Sequence, residues 1–240
     1  MTSRAHQSRH GIPKRRTASK GLIALCVVLV LLVAGAFSAF ALVSSWLEDL
    51  PNYEDASAYN TAEKTKVYAN DGTTLLAEFY LENRDPVEIS EISDYVLEGT
   101  VATEDERFYE HNGVDLAGIG RAIFVNIAGG HEGASTITQQ FVRNTVLAEE
   151  ATESTLKRKV REAYISTKLE EQYSKDEILL MYLNTINYGQ GAYGIEAASQ
   201  LYFSKHASDL TLTEAATLIG IPQSPTYNNP CLLYTSPSPR

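Results

Sequence analysis

The stretch Gly133 to Asn144, GASTITQQFVRN, sets Thr136, Gln140, Arg143 and Asn144 at i, i+4, i+7 and i+8, a spacing that aligns them along one helical face. A merely solvated face would usually carry Glu and Lys. Two further segments concentrate polar groups. In Ala102 to Asp115, ATEDERFYEHNGVD, Glu104 and Asp105 close an apolar-ended helix pattern and precede Phe108; alone they read as solvated acids at a helix end. In LKRKVREAYISTKLEEQYSKDEILLMYLN, Arg158, Glu162, Ile165 and Leu169 share a face that begins charged and turns apolar, so Glu162 is expected to be partly buried. Each segment alone fits a structural role better than a catalytic one.

Three other patterns carry less. GQGAYG (Gly189, Gly191, Gly194) has dinucleotide-binding spacing, with Asp209 twenty residues after Gly189. It follows a helical stretch, EILLMYLNTINY, where that fingerprint needs a strand, and reads as a tight turn between helices. STLK (Ser154 to Lys157) matches the S-x-x-K of penicillin-reactive enzymes without their S-D-N-like and K-T-G elements. His111 follows Glu104 by seven residues, no recognised metal spacing, and reads as a hydrogen-bonded structural histidine.

The elements that must position these groups begin with an anchor. Of 20 Lys and Arg residues, six (Arg4, Arg9, Lys14, Arg15, Arg16, Lys20) precede Glu48 without one acid among them, and the other 14 face 30 Asp and Glu. So acidic a body excludes nonspecific nucleic-acid binding. Leu22 to Val43, LIALCVVLVLLVAGAFSAFALV, is almost wholly apolar. At about 1.5 Å per residue its helix covers the roughly 30 Å hydrocarbon layer. This predicts a transmembrane helix with Trp46 at the interface, the basic flank in the cytoplasm and Glu48 onward outside. A cleaved signal peptide is the alternative, since AGA and AFA offer small-residue sites, but its apolar region runs only about 7–15 residues.

The expected organisation is a basic cytoplasmic tail over 1–20, the anchor over 21–46, a polar linker over 47–65, one domain over 66–230 and a Ser/Pro-rich tail over 231–240. The domain opens on β-branched and aromatic alternation around Asn70-Asp71-Gly72, a hairpin signal. From Ile92 the pattern turns helical. Capping boxes at Ser174/Glu177 and Thr211/Glu214 open two helices, the second closed by Gly220 and Pro222. Cys26 lies in the membrane span and Cys231 near the end, so the domain must hold together by packing rather than by a disulfide.

Together the polar segments resemble the peptidoglycan glycosyltransferases, the transglycosylase family found as monofunctional enzymes and at the N-terminus of class A penicillin-binding proteins. Residues 102–115 look like its E-D-x-x-F-x-x-H-x-G motif, 133–144 like G-x-S-T-x-T-Q-Q-x-x-K-N, and Arg158 to Glu162 like R-K-x-x-E. SKDEILLMYLNTINYGQGAYGIEAASQLYFSK and LTLTEAATLIGIPQSP fit the remaining two, so the resemblance covers roughly Lys66 to Pro230. Arg143 stands where the family usually has Lys, which keeps the charge and adds a bidentate fork for phosphate oxygens. The family's domain continues in a further basic helical stretch where this chain reads CLLYTSPSPR, which points to a truncated or mis-joined end.

The resemblance implies a mainly α, lysozyme-like transglycosylase domain with a small β-hairpin entry, preceded by one transmembrane helix. It also implies a membrane-anchored enzyme on the extracytoplasmic face of a bacterial cell membrane. Such an enzyme polymerises lipid II into β-1,4-linked glycan in one inverting displacement that expels polyprenyl diphosphate. By motif position Glu104 is the general base. Glu162 holds a divalent cation (Mg or Mn) or orients the cations Arg143, Arg158 and Lys159 at the diphosphate. Asp105, Gly133, Ser135, Thr136, Gln140, Arg143, Asn144, Arg158 and Lys159 would contact substrate, with Gly133 and Ala134 letting the backbone approach it. The implied partners are lipid II, the growing glycan strand, the membrane, moenomycin as inhibitor and a cell-wall synthesis complex. The alternatives are a lysozyme-like lytic enzyme acting on finished glycan and a noncatalytic membrane-tethered wall-binding module.

Overall fold

The computed structural model describes residues 20–53, 59, 65–79, 82–130 and 132–231. The expected basic tail, apart from Lys20, and the terminal tail, apart from Cys231, lie outside them. The chain divides into two compact units, residues 1–45 and 46–240. The first consists of most of α1 (Lys20–Leu47, 28 residues), the one helix among the described residues long and apolar enough to cross a membrane.

The second unit is mainly helical. A hairpin of β1 (Thr65–Tyr68) and β2 (Leu75–Phe79) comes first, and the Asp71 carboxylate organises its loop by accepting from the Thr73 and Thr74 amides at 3.0 and 2.9 Å. A two-residue strand β3 (Asn83–Arg84) then pairs in parallel with a later strand β4 (Ala192–Tyr193), a long-range pairing with no periodic signature in so short a segment. The helices are α2 (Asp94–Glu104), α3 (Leu116–Ile127), α4 (Ile137–Asn144), α5 (Leu156–Glu170), α6 (Lys175–Thr185), α7 (Ile195–Phe203) and α8 (Leu212–Ile219).

Local chemistry explains where the helices start. Thr136 with Gln139, Ser174 with Glu177 and Thr211 with Glu214 form reciprocal capping boxes at α4, α6 and α8. The glycine-rich segment after α6 is a tight helix-to-helix turn, with Gly189, Gly191 and Gly194 all at positive φ. At eight residues α4 is too short to stand alone in water. It is held between α5 and α6, with Ile137, Phe141 and Val142 buried against a core that includes Ile165, Leu169, Ile178 and Leu183.

The segment read as a polar linker is partly built into this unit. Tyr59 is buried and stacks on Phe141 at 5.7 Å between ring centroids, while Tyr53 meets Tyr164 edge-on at 6.1 Å. Two tyrosines spaced among polar residues give no periodic signal, yet each can bury an apolar ring with its hydroxyl paired. The hydroxyl of Tyr59 donates to the Tyr53 carbonyl.

Gly113 is a point where the backbone leaves no alternative. Its φ is +80°, and a Cβ there would lie 2.6 Å from the Ser166 carbonyl carbon on α5. At Gly133 a Cβ would meet nothing within 4 Å. Gly113→Ala is therefore expected to lower the unfolding free energy by about 2 kcal/mol or more. Gly133→Ala should stay within about 0.5 kcal/mol of wild type. Urea unfolding midpoints of the two purified variants, at unchanged m-value, check the contrast.

Candidate active site

A cleft of about 500 Å³ opens where the end of α2, the start of α3, residues 132–136, α4 and the end of α8 converge. Its walls carry Glu104, Gly133, Ser135, Gln140 and Arg143 from the expected site. Glu104 is the last residue of α2 and half-buried. The Gln140 amide donates to its Oε2 at 2.7 Å.

The joint between α2 and α4 is made by Asp105. Its carboxylate is only 4% exposed, and Oδ2 accepts from the Ile137 backbone amide, the first N–H of α4, at 3.1 Å. A carboxylate there satisfies an orphan donor and complements the positive end of the helix. The same oxygen lies 2.9 Å from His111 Nε2, which must donate because an ionised carboxylate can only accept. His111 Nδ1 then faces Lys175 Nζ at 3.5 Å, and its ring meets Phe108 edge-on. His111 is the hydrogen-bonded structural residue its spacing suggested.

Two residues expected at the substrate have their polar groups committed inside the protein, although both border the cleft. One is Asp105. The other is Thr136, 2% exposed, which precedes α4 as its N-cap; its hydroxyl donates to the Gly113 carbonyl at 2.8 Å and accepts from the Gln139 amide at 3.1 Å. The helical alignment with Gln140 and Arg143 is thus broken at its first member by the demands of capping. Asn144, the last residue of α4, is not in the cleft wall.

Glu162 is fully buried, more so than the charged-to-apolar face suggested. Its Oε1 accepts from Arg158 Nη1, and Oε2 faces Lys159 Nζ at 3.0 Å with no donor in hydrogen-bond geometry. Lys159 in turn donates to Ser135 Oγ at 2.8 Å, which ties α5 to the cleft wall. Arg158 is also held by the Glu153 carbonyl. This donor set does not fit a divalent cation. A hard cation wants several oxygen ligands, and Glu162 offers one carboxylate enclosed by two positive side chains. Among the described residues no group of three or more His, Cys, Asp and Glu gathers elsewhere.

The cleft holds charges that the sequence reading passed over. Arg107 pairs with Asp115 and holds its carboxyl down to about 2, while the Gly118 amide at 2.9 Å adds to the effect. Asp115 is also the N-cap of α3, its carboxylate accepting from the Gly118 amide. Across the cleft Arg121 pairs with Glu132 at 2.6 Å and Glu106 at 3.6 Å. Asp115 ahead of an apolar helix with Gly three residues later was a readable capping signal; the ion pairs, formed across turns, had none. Outside those pairs, Glu104 and Arg143 line the cleft without an ion-pair partner among the described residues.

Comparison with known proteins agrees with this architecture. Residues 71–237 match the family model described as Transglycosylase, past the Pro230 at which the sequence reading ended the domain. Penicillin-binding protein 1A/1B of Bacillus subtilis (strain 168) is 46% identical over 214 residues, 88% of this chain and 22% of the relative. Penicillin-binding protein 2D of the same organism is 42% identical over 212 residues, covering 87% and 30%, and penicillin-binding protein 1A of Escherichia coli (strain K12) is 40% identical over 211, covering 87% and 24%. The chain therefore spans about a fifth to a third of the length of these relatives. A family match over residues 71–237, on a helical fold that brings Glu104, Ser135, Gln140 and Arg143 to one cleft, leads to one conclusion: the chain belongs to the transglycosylase family.

Proposed function

We propose that the protein is a membrane-anchored peptidoglycan glycosyltransferase that polymerises lipid II into β-1,4-linked glycan and releases polyprenyl diphosphate. The observation that carries this reading is the pair of uncompensated charges in the cleft: Glu104, held by a neutral amide, and Arg143, on the same helix as that amide.

A sugar hydroxyl is a weak nucleophile at neutral pH. Glu104 takes the proton of the acceptor 4-hydroxyl as its oxygen bonds to the anomeric carbon of the glycan chain, a contribution of about 10²–10⁴ in rate. The bond from that carbon to the diphosphate breaks from the opposite face, which inverts the configuration. The leaving group needs positive charge more than a proton. Arg143 supplies it in the cleft wall, and Lys159 supplies it at the wall's edge beside Ser135. Glu162 acts by holding Arg158 and Lys159 in place, and no step is routed through a metal. Gly133, with open space where a Cβ would stand, leaves room for a ligand at the backbone. A lytic enzyme working on finished glycan would have no comparable use for the free cation.

The lipid substrate confines the reaction to a membrane surface. Beside the cleft, α3 presents Leu116, Ile123, Phe124 and Ile127 at helical spacing, all more than half exposed. That face and α1 support a membrane-surface enzyme; in this proposal the basic N-terminal side is further placed in the cytoplasm and the cleft outside, with moenomycin taken as a donor-site ligand and a cell-wall synthesis complex as the setting.

Glu104→Gln keeps shape and hydrogen bonding but cannot accept the proton. Polymer formation from labelled lipid II should fall by about 10²-fold or more while moenomycin still binds. Near-normal polymerisation by the folded variant would refute the assignment of the base. Glu162→Gln should behave differently, because it leaves Arg158 buried without its counter-charge. It is expected to destabilise the fold by about 3 kcal/mol and to weaken moenomycin binding, without changing the response to added Mg²⁺. Urea unfolding and moenomycin titration of that variant, with and without Mg²⁺, are the measurements.

A further inference from the structure

The Gln140 amide has two different ends, and both are engaged. Its NH₂ donates to Glu104 Oε2 at 2.7 Å, and its carbonyl accepts from the Tyr182 hydroxyl at 3.3 Å. Tyr182 stands on α6, 2% exposed, in the layer that packs α6 against α4. The described residues offer its hydroxyl no other hydrogen-bond acceptor. Burial first, and then the nearby Glu104 charge, push this hydroxyl well above its ordinary pKa, so it remains an O–H and a donor.

We infer that Tyr182 is a positioning residue for the general base: acting through Gln140, it fixes which oxygen of Glu104 takes the proton and keeps the amide in one orientation through the catalytic cycle. The inference rests on Glu104 being that base. While Glu104 is ionised, its charge alone orients the amide, because a carboxylate cannot face a carbonyl favourably. Once Glu104 has gained a proton, that constraint lapses. The amide could turn over and accept from the new acid, which would stabilise the protonated form and delay its return to carboxylate. Turning over would leave the Tyr182 O–H buried without an acceptor, so the tyrosine opposes it. With NH₂ kept on Oε2, the proton is directed to Oε1 and returns from there to solvent.

Tyr182→Phe keeps the buried ring and removes only the hydroxyl. With the amide free to turn over, the acid form of Glu104 gains a hydrogen-bond acceptor, and its apparent pKa rises. The acid limb of the pH–rate profile for lipid II polymerisation should therefore move up by about half to one pH unit. Turnover on the acid side should fall about three- to tenfold, with little change in the lipid II concentration for half-maximal rate. The other charged and titratable groups around Glu104 are Arg143 from α4, Tyr188 after α6, its neighbours Asp105 and Glu106, and the pairs Arg107–Asp115 and Arg121–Glu132 across the cleft. None of them is altered.

A loss of packing alone would scale the rate equally at every pH. Gln140→Leu, which cannot donate to Glu104 at all, should also raise the acid limb, and Tyr182→Phe should add nothing in that background. Acid limbs that coincide with wild type in the single variants would overturn the positioning role. So would an additional shift in the double variant. Glu104→Gln assayed over the same pH range separates the two failures: if it polymerises normally, the base assignment falls; if it is inactive and the limbs do not move, the role of Tyr182 alone falls. Should Tyr182→Phe be destabilised, its pH–rate profile is taken below its melting temperature, beside wild type at that temperature, and the same outcomes decide.

Discussion

The contact on which the site depends is the Asp105 carboxylate at the N-terminus of α4. Asp105 closes α2 with its backbone amide, which donates to the Val101 carbonyl, and its carboxylate accepts from the Ile137 amide at the start of α4. Helix α4 is too short to persist without tertiary support, and its first turn carries Gln140, the partner of the proposed base. One buried hydrogen bond thus fixes the distance between the end of one helix and a side chain on the next. His111, Lys175 and Phe108 stand behind it and give Asp105 a second donor and a packed surround.

The residues of the site accordingly fall into two layers with different physics. Asp105, Thr136, Arg158 and Glu162 are buried and satisfied mostly by one another or by backbone, so their charges and dipoles serve geometry. Glu104, Gln140, Arg143 and Ser135 reach the cleft, each held from behind by one contact or by its helix. This division explains why an acidic protein can present a usable cation in its cleft. Of the surrounding acids, Asp115 is paired with Arg107 and Glu132 with Arg121, while Glu106, largely exposed, lies 3.6 Å from the same Arg121, so none of the three pairs with Arg143.

Burial of Glu162 between two cations also bears on how the diphosphate would be met. A buried carboxylate with two positive neighbours is favourable only if all three stay in place, and Lys159 reaches the cleft wall only while Glu162 and Ser135 hold it. Positive charge at the cleft edge is therefore a property of α5's internal network as much as of one lysine.

Whatever depends on local pattern was legible in the amino-acid sequence: the apolar span realised in α1, the hairpin around Asp71, the capping boxes at Ser174 and Thr211, and the charged-to-apolar face that buries Glu162. These follow from side-chain periodicity and from hydrogen bonds between residues three or four apart, which need no tertiary information. Motif order along the chain also drew Glu104, Gln140 and Arg143 into one site. Tertiary structure alone decided which of the motif's polar groups face the cleft and which hold it together. Thr136 borders the cleft with its hydroxyl spent on capping a short helix, and Asp105 borders it with its carboxylate taken by an orphan helix amide. Tyr53 and Tyr59 in the core, the β3–β4 pairing and the tyrosine behind Gln140 join residues far apart in sequence, where adjacency is set by packing and leaves no trace in local spacing.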